Sequence, residues 1–311
     1  MTTLQTTREQ HLSGKLSKPE YIQEMYQQHH AQLFEYAKYL AQTDVDSIQI
    51  RDGAVVMTSR KYGISMQCPE GDHRVAPIES LNFQNYEEKD ASMILRLVPE
   101  HGVVFDVGAN MGWYSLLIAR HVRGCQIHAF EPIPKTYSFL TKNIELNQAV
   151  SVTAHHFGLS NERKDLTFYF YPEGSGNASS ANLSERTDAE LVTCHVEKLD
   201  DFAHANKLHV DFIKCDVEGA ELFAFQGATE TLQRDKPIVF TEMLRKWAAK
   251  FNYHPNEIFA LFASLGYRCF YADGTVLSEL IEMTDETVET NFFFLHAEKH
   301  QQLIEGLSCK A

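Results

Sequence analysis

The sequence predicts an α/β protein: a seven-stranded sheet with helices on both faces, preceded by a helical arm and a hairpin. Three observations carry that expectation. From residue 103 onward, short apolar runs alternate with helical stretches, the pattern of successive βαβ units. The first of these runs, VVFDV, breaks into a turn with glycine at 108 and 112 before an apolar helix begins. A chain of 311 residues that is 44% hydrophobic, 23% charged and 11% aromatic has the make-up of a globular protein able to bury a large core.

In chain order, residues 18–42 predict a helix, because Tyr21, Met25, Leu33, Tyr36 and Leu40 recur at spacings of three and four. Its apolar stripe suits packing on the core, roofing of the active site, or contact with a second copy, so a homo-oligomer through this helix is one expectation. His29 and His30 are adjacent on it and face different directions, which argues against a shared metal. Residues 47–67 alternate about Asp52-Gly53, a hairpin pattern. Residues 1–80 are therefore read as arm and hairpin, and 81–311 as the main domain. Its strands are expected at 103–107, 126–130, 151–157, 210–215, 237–241, 267–272 and 291–296. Helices are expected at 112–122, 134–147, 219–233 and 255–265, with two inserted strands at 164–171 and 190–196.

Charge and cysteine usage exclude whole classes of function. A net charge of −14 argues against nucleic acid and anionic membrane as partners, since both require clustered Lys and Arg. The N-terminal stretch has no apolar segment, and no run approaches the roughly 20 apolar residues of a membrane span, so a cytoplasmic location is expected. The six cysteines, Cys68, Cys125, Cys194, Cys215, Cys269 and Cys309, form no C-x-x-C pair and read as buried reduced thiols rather than a zinc cluster.

In an open α/β sheet, ligands gather at the carboxyl ends of the strands. The glycine turn sits at one such end and aims free N–H groups toward a ligand. Its spacing, G-A-N-M-G after Asp106, departs from the G-x-G-x-x-G of a dinucleotide site, which weakens an NAD-dependent oxidoreductase reading. A carboxylate beside the turn suits a ligand with a cationic amino group. Glu131, about 20 residues after the turn and at the end of the next strand, can accept hydrogen bonds from ribose hydroxyls. Asp106 and Glu131 together specify a nucleoside that bears an amino acid.

The segments FDVGANMGWYSLLIA, AFEPIPKTYSFLTKNIELN, LDDF, DFIKCDVEGAELFAFQGA and KPIVFTE, in this order and spacing, resemble the FkbM-type S-adenosylmethionine-dependent methyltransferases. The similarity covers about residues 86–245 and continues more weakly to about 296. It implies a class I (Rossmann-like) methyltransferase fold and S-adenosylmethionine as cofactor. Gly108, Ala109, Asn110 and Gly112 would surround its methionine part, Asp106 would lie near its amino group, and Glu131 with Pro132 near its ribose. The adenine would lie around His156 to Ser160. The first 80 or so residues carry no motif of the family.

Lys214 and Asp216 are two apart on the fourth strand and so share a face, with Asp216 at the rim above the transferable methyl. Glu242 ends the next strand at a neighbouring rim. Two carboxylates there can serve as general base and orienting group toward a hydroxyl, or can hold a hard cation. The catalytic set is thus Asp216, Glu242 and Lys214. Metal-free catalysis is the favoured reading, because Lys214 already supplies positive charge; Asp216 and Glu242 are the ligands if a divalent metal binds. Glu218 and Glu221 suit the start of the following helix by their charge. Glu218 is also a candidate substrate contact, with Asn177, Ser179 and Ser180 from the Gly/Ser-rich stretch 172–185. His155, His156 and His195 read as ordinary strand residues. The expected reaction is O-methylation of a hydroxyl on a sugar, glycoside or polyketide-like small molecule. The alternatives are N-methylation of a small molecule, or a non-catalytic S-adenosylmethionine-binding assembly protein.

Overall fold

The computed structural model describes residues 3–308; Cys309 lies outside them. The arm begins with α1 (Thr3–Leu12) and continues as one long helix: α2 (Lys18–Met25), a π-helical stretch (Tyr26–His30), α3 (Ala31–Tyr39) and a closing 3₁₀ turn (Leu40–Gln42). Ser17 starts α2 through a capping box, its backbone N–H and hydroxyl both donating to Glu20 at 2.8 and 2.6 Å. The helix spans the predicted residues, yet none of its α2, π or α3 residues is buried. The π stretch adds a residue to one turn and rotates the second half of the apolar stripe away from the first. Ile22, Leu33 and Phe34 are 57%, 60% and 61% exposed, and the arm does not roof the cleft described below.

Strands β1 (Val45–Arg51) and β2 (Ala54–Ser59) form the predicted hairpin, Asp52 and Gly53 both taking positive φ. A third strand, β3 (Ser65–Cys68), extends it into a small sheet, followed by α4 (Ala76–Phe83) and α5 (Glu88–Leu97). Tyr62, Ile64, Met66 and Val75 share one apolar core with Ile94, Leu117 and Ile127. A boundary at residue 80 therefore cuts α4 and divides a single packed unit; only the helical arm stands outside it.

The main domain runs β4 (Val103–Val107), α6 (Trp113–His121), β5 (Gln126–Phe130), α7 (Pro134–Leu146) and β6 (Val152–His155). The inserted sheet follows as β7 (Gly158–Leu159), β8 (Lys164–Phe170) and β9 (Glu190–Glu197), then α8 (Leu199–Ala205). The second half is β10 (Phe212–Cys215), α9 (Glu221–Gln226), α10 (Thr229–Asp235), β11 (Ile238–Glu242), α11 (Arg245–Ala248) and α12 (Asn256–Ser264). It closes with β12 (Tyr267–Ala272), β13 (Leu277–Leu280), β14 (Asn291–His296) and α13 (Gln301–Leu307).

The large sheet has the order β13-β12-β14-β11-β10-β4-β5-β6, parallel from β11 to β6 and antiparallel at β14. All seven predicted strands are present. The eighth, β13, is a short edge strand whose four residues leave only Leu277 buried, too brief to register as a run. The predicted helix over 219–233 is two helices, α9 and α10. It breaks at Gly227, where a Cβ would stand 2.0 Å from the Ser160 carbonyl oxygen. Apolar cores fill both faces of the sheet, and in one of them Phe262 stacks on Phe294 at 4.1 Å. From β4 the chain moves outward through β5 and β6, then returns to lay β10 on the other side of β4. That reversal is a topological switch point, where a crevice opens at the strands' carboxyl ends. No described helix is long and apolar enough to cross a membrane.

Because the arm buries nothing against the domain, deleting residues 1–38 is expected to shift the thermal midpoint by no more than about 2 °C. Phe262→Ala, which empties the contact with Phe294, is expected to cost about 3–5 kcal/mol in urea denaturation.

Candidate active site

Strand register builds the site. Lys214 on β10 lies beside Asp106 on β4, and both side chains fall on the same face, one residue before the strands end. The Lys214 ammonium donates to the Gly108 carbonyl at 2.7 Å and stands 3.4 Å from Asp106 and 3.7 Å from Asp216. Asp106 accepts a further hydrogen bond, 2.6 Å long, from the Ser115 hydroxyl. Lys214 and Asp106 are only 3% and 1% exposed. Burial alone would make Lys214 less basic, but Asp106, then Asp216, outweigh it and hold the ammonium charged.

The turn after β4 is shaped by the chain itself. Gly108 takes φ +72°, and a Cβ there would lie 1.8 Å from the Asp216 carbonyl oxygen. At Gly112, φ +93°, a Cβ would meet Leu140 of α7 at 2.7 Å. Close approach of neighbouring strand and helix, rather than of a ligand, demands glycine at both. Glu131 closes the turn from β5, accepting from the Asn110 N–H at 3.0 Å and the Ile133 N–H at 2.8 Å. Its burial raises the carboxyl to about 7 against those two hydrogen bonds.

A cleft of about 660 Å³ opens above these strand ends. Of the predicted site residues, Gly108, Asn110, Glu131 and Pro132 line it on one side, and Asp216, Glu218, Glu242 and Asn177 on the other. Asp106, Ala109, Gly112, Lys214 and Ser179 lie behind the wall. Ser179 is fully buried, and its hydroxyl donates to the Glu218 carbonyl at 2.8 Å, so it anchors the inserted loop to the β10–α9 turn. Ser180 faces a smaller, mainly apolar cavity of about 270 Å³, bounded by Gly158 to Ser160, Val196, Val217 and Phe223. His155 packs against His128, their ring nitrogens 2.9 Å apart. His156 stacks on Tyr137, and His195 lies between Asp165 and Glu197; all three keep structural partners.

Sequence reading missed one wall entirely. Arg74 comes from the segment before α4, Glu79 from α4, Asn85, Tyr86 and Glu87 from the bend after it, and Trp247 from α11. The bend carries left-handed backbone at Gln84 and Glu87, with φ +77° and +44°, and no glycine marks it. Glu87 accepts from the Tyr114 hydroxyl. Burial lifts its carboxyl to about 7 despite that bond.

Oxygens of Asp216, Glu218 and Glu242 all lie within 4.8 Å of one another. Such a set of hard ligands could hold a divalent cation, and Glu218 adds to the pair expected from the sequence. Burial, then Asp216, push both Glu218 and Glu242 well above the ordinary carboxylate range. Glu221 instead clamps the backbone: it accepts from the Val217 and Gly219 N–H groups at 3.1 and 3.0 Å.

Residues 106–269 match the Methyltransferase FkbM domain, just over half of the chain. The chain belongs to the FkbM methyltransferase family. Over 147 residues, 42% of this chain and 59% of the relative, it is 33% identical to methyltransferase 1 of Beauveria bassiana. It is 29% identical over 149 residues to the hexuronic acid methyltransferase AglP of Haloferax volcanii, covering 47% of this chain and 58% of AglP. To the 31-O-demethyl-FK506 methyltransferase FkbM of Streptomyces tacrolimicus it is 34% identical over 73 residues, 24% of this chain and 28% of that one. The chain thus spans about three fifths of the length of the first two of these relatives. A crystal structure of methyltransferase FkbM from Methylobacillus flagellatus superposes on 62% of this chain and 43% of its own, with TM-score 0.40 and 17% identity. The sheet order is that of the class I methyltransferase fold.

Lys214→Met, which strands Asp106 as a buried unpaired charge, is expected to cost about 3–5 kcal/mol in denaturant unfolding, largely recovered by adding Asp106→Asn. Glu87, Glu131 and Glu221 rise from 4.5 when unfolded to about 7 when folded. Their contribution to stability is full below 4.5 and is lost as pH climbs through 7, so unfolding free energy should fall from pH 5 to 8. Glu221→Gln should flatten that slope.

Proposed function

We propose that this methyltransferase uses S-adenosylmethionine to methylate a hydroxyl of a sugar, glycoside or polyketide-like small molecule. The observation that carries the reading is the pair of carboxylates, Asp216 and Glu242, on adjacent strand tips in a cleft that also holds the Glu131-closed glycine turn. The site suits the cofactor: Glu131 faces the cleft, the Asn110 carbonyl oxygen is buried with no hydrogen-bond partner, and the smaller cavity offers apolar walls for adenine. When bound, the cofactor supplies the electrophilic methyl group. Glu242 takes the proton from the acceptor hydroxyl as the methyl transfers; raised basicity and the lack of any hydrogen-bond or ion-pair partner among the described residues suit it to that role. Asp216, held by Lys214, orients the hydroxyl. Tyr86 and Trp247 offer flat apolar surface for a ring. The two relatives named for a hexuronic acid and for 31-O-demethyl-FK506 support acceptors of these kinds.

Lys214 already places a positive charge 3.7 Å from Asp216, which favours metal-free catalysis. The free thiols of Cys68, Cys125, Cys194, Cys215 and Cys269 suit a cytoplasmic setting. The exposed stripe of the arm is further proposed to join two copies, which light scattering of the full chain and of the 1–38 deletion would check.

Glu131→Ala is expected to weaken S-adenosylhomocysteine binding by about 2–4 kcal/mol in calorimetry. With labelled donor and a panel of sugars, glycosides and metabolite extracts, product should appear by mass spectrometry. Glu242→Gln and Asp216→Asn should each lower turnover about 100-fold or more. Activity should survive exhaustive EDTA treatment; loss of turnover restored by magnesium would reassign Asp216, Glu218 and Glu242 as ligands.

A further inference from the structure

We propose that Glu218, with Glu87 and Glu242, acts as a charge sensor that binds the sulfonium donor in preference to its thioether product. This rests on S-adenosylmethionine being the donor and adds a specificity role to the acceptor side of the cleft.

The cleft is lined by six carboxylates and two cationic side chains. Three of those carboxylates are already balanced. Glu79 is paired with Arg74 at 2.7 Å, Asp216 has Lys214, and Glu131 has two backbone donors. Glu87 has only the Tyr114 hydroxyl, while the carboxylates of Glu218 and Glu242 have neither hydrogen bond nor ion pair among the described residues. The remaining cation, Lys246, stands 4.1 Å from the centre of the Trp247 ring. Tyr86 and Tyr114 add no positive charge.

Glu218 is not there by default. It sits at φ +53°, a backbone region costly for a non-glycine residue. The turn is pinned around it: Glu221 takes the Val217 and Gly219 N–H groups, Tyr253 donates to the Gly219 carbonyl at 2.8 Å, and Ser179 donates to the Glu218 carbonyl. The pinned turn aims an unpaired carboxylate into the cleft, one turn residue away from Asp216. A cation arriving there gains from every one of these groups.

The reaction removes that cation. The methyl–sulfur bond breaks and its electron pair stays on sulfur, leaving a neutral thioether. The methyl–oxygen bond forms, and the hydroxyl proton passes to Glu242. Positive charge lost at sulfur is thus replaced by a proton on a carboxylate, and the attraction that held the donor is gone when the product must leave. S-adenosylmethionine and S-adenosylhomocysteine carry the same amino acid and nucleoside, so the difference in their affinities isolates the sulfonium charge.

The test is calorimetry of both compounds on the EDTA-treated full chain at pH 8.5. S-adenosylmethionine should bind about tenfold or more tightly than S-adenosylhomocysteine at pH 8.5, the effect of one or two nearby charges. Glu218→Gln should bring the ratio toward one while leaving S-adenosylhomocysteine affinity in place. Glu87→Gln should do so more weakly and serves where the first variant unfolds by circular dichroism. Equal affinities in the wild type, or a ratio unmoved by both variants, would overturn this proposal alone. So would magnesium abolishing the ratio, since the cluster would then be a metal site. Binding of neither compound would overturn the donor reading and this proposal with it.

Discussion

The buried ammonium of Lys214 is the interaction on which the site depends. It joins the two halves of the sheet at their switch point, taking Asp106 from β4, Asp216 from the end of its own strand, and the carbonyl of Gly108 from the turn between. Removing a charge from water costs several kcal/mol, and only a complete set of partners offsets it. A hydrophobic pair would stabilise the sheet as well or better. It would not hold the Gly108 carbonyl. The N–H groups of Gly108 and Ala109 are taken by the Phe130 carbonyl and that of Asn110 by Glu131, so the free N–H row that the sequence suggested for a ligand is not left there. The register of β4 against β10 produces the contact, so the parallel sheet and the shape of the turn are a single constraint.

That constraint also decides where charge is left over. Lys214 is shared by Asp106 and Asp216, and nothing comparable reaches Glu87, Glu218 or Glu242. Their burial with one another disfavours ionisation in the empty cleft, which lifts their basicity. An elevated carboxylate is a poor ion-pair partner at rest and a good proton acceptor when a cation comes near. The same excess of negative charge weakens the protein as pH rises and, in the proposed reaction, would provide the base for a hydroxyl, a trade of stability for function.

Legibility in the sequence followed the range of the interactions concerned. β4, β5, β12 and β14 have the boundaries that their apolar runs predict, because a strand buried on both faces must be apolar throughout. Asp216 and Glu242 were readable as polar residues ending such runs. Asp106 and Gly108 were visible too, but their surroundings were not: one faces a lysine 108 residues later, and the other is glycine because a distant carbonyl leaves no room for Cβ. The bend at Gln84 to Glu87 carries no glycine or proline, so its left-handed backbone left no trace. The break between α9 and α10 arises from the approach of Ser160, again a contact between remote segments.

The division of labour within the cleft follows from the same geography. The family match begins at Asp106, and everything at the carboxyl ends of β4, β5, β10 and β11 falls inside it. Arg74, Glu79, Tyr86 and Glu87 lie before it and supply the facing wall. They reach the cleft because the β1–β3 sheet and α4 pack into the main core instead of standing apart as a separate unit. Within the proposed reaction, the acceptor would also meet this wall, which the matched region does not include. There, Tyr86 from this wall and Trp247 from α11 offer the flat surface against which an acceptor ring would lie.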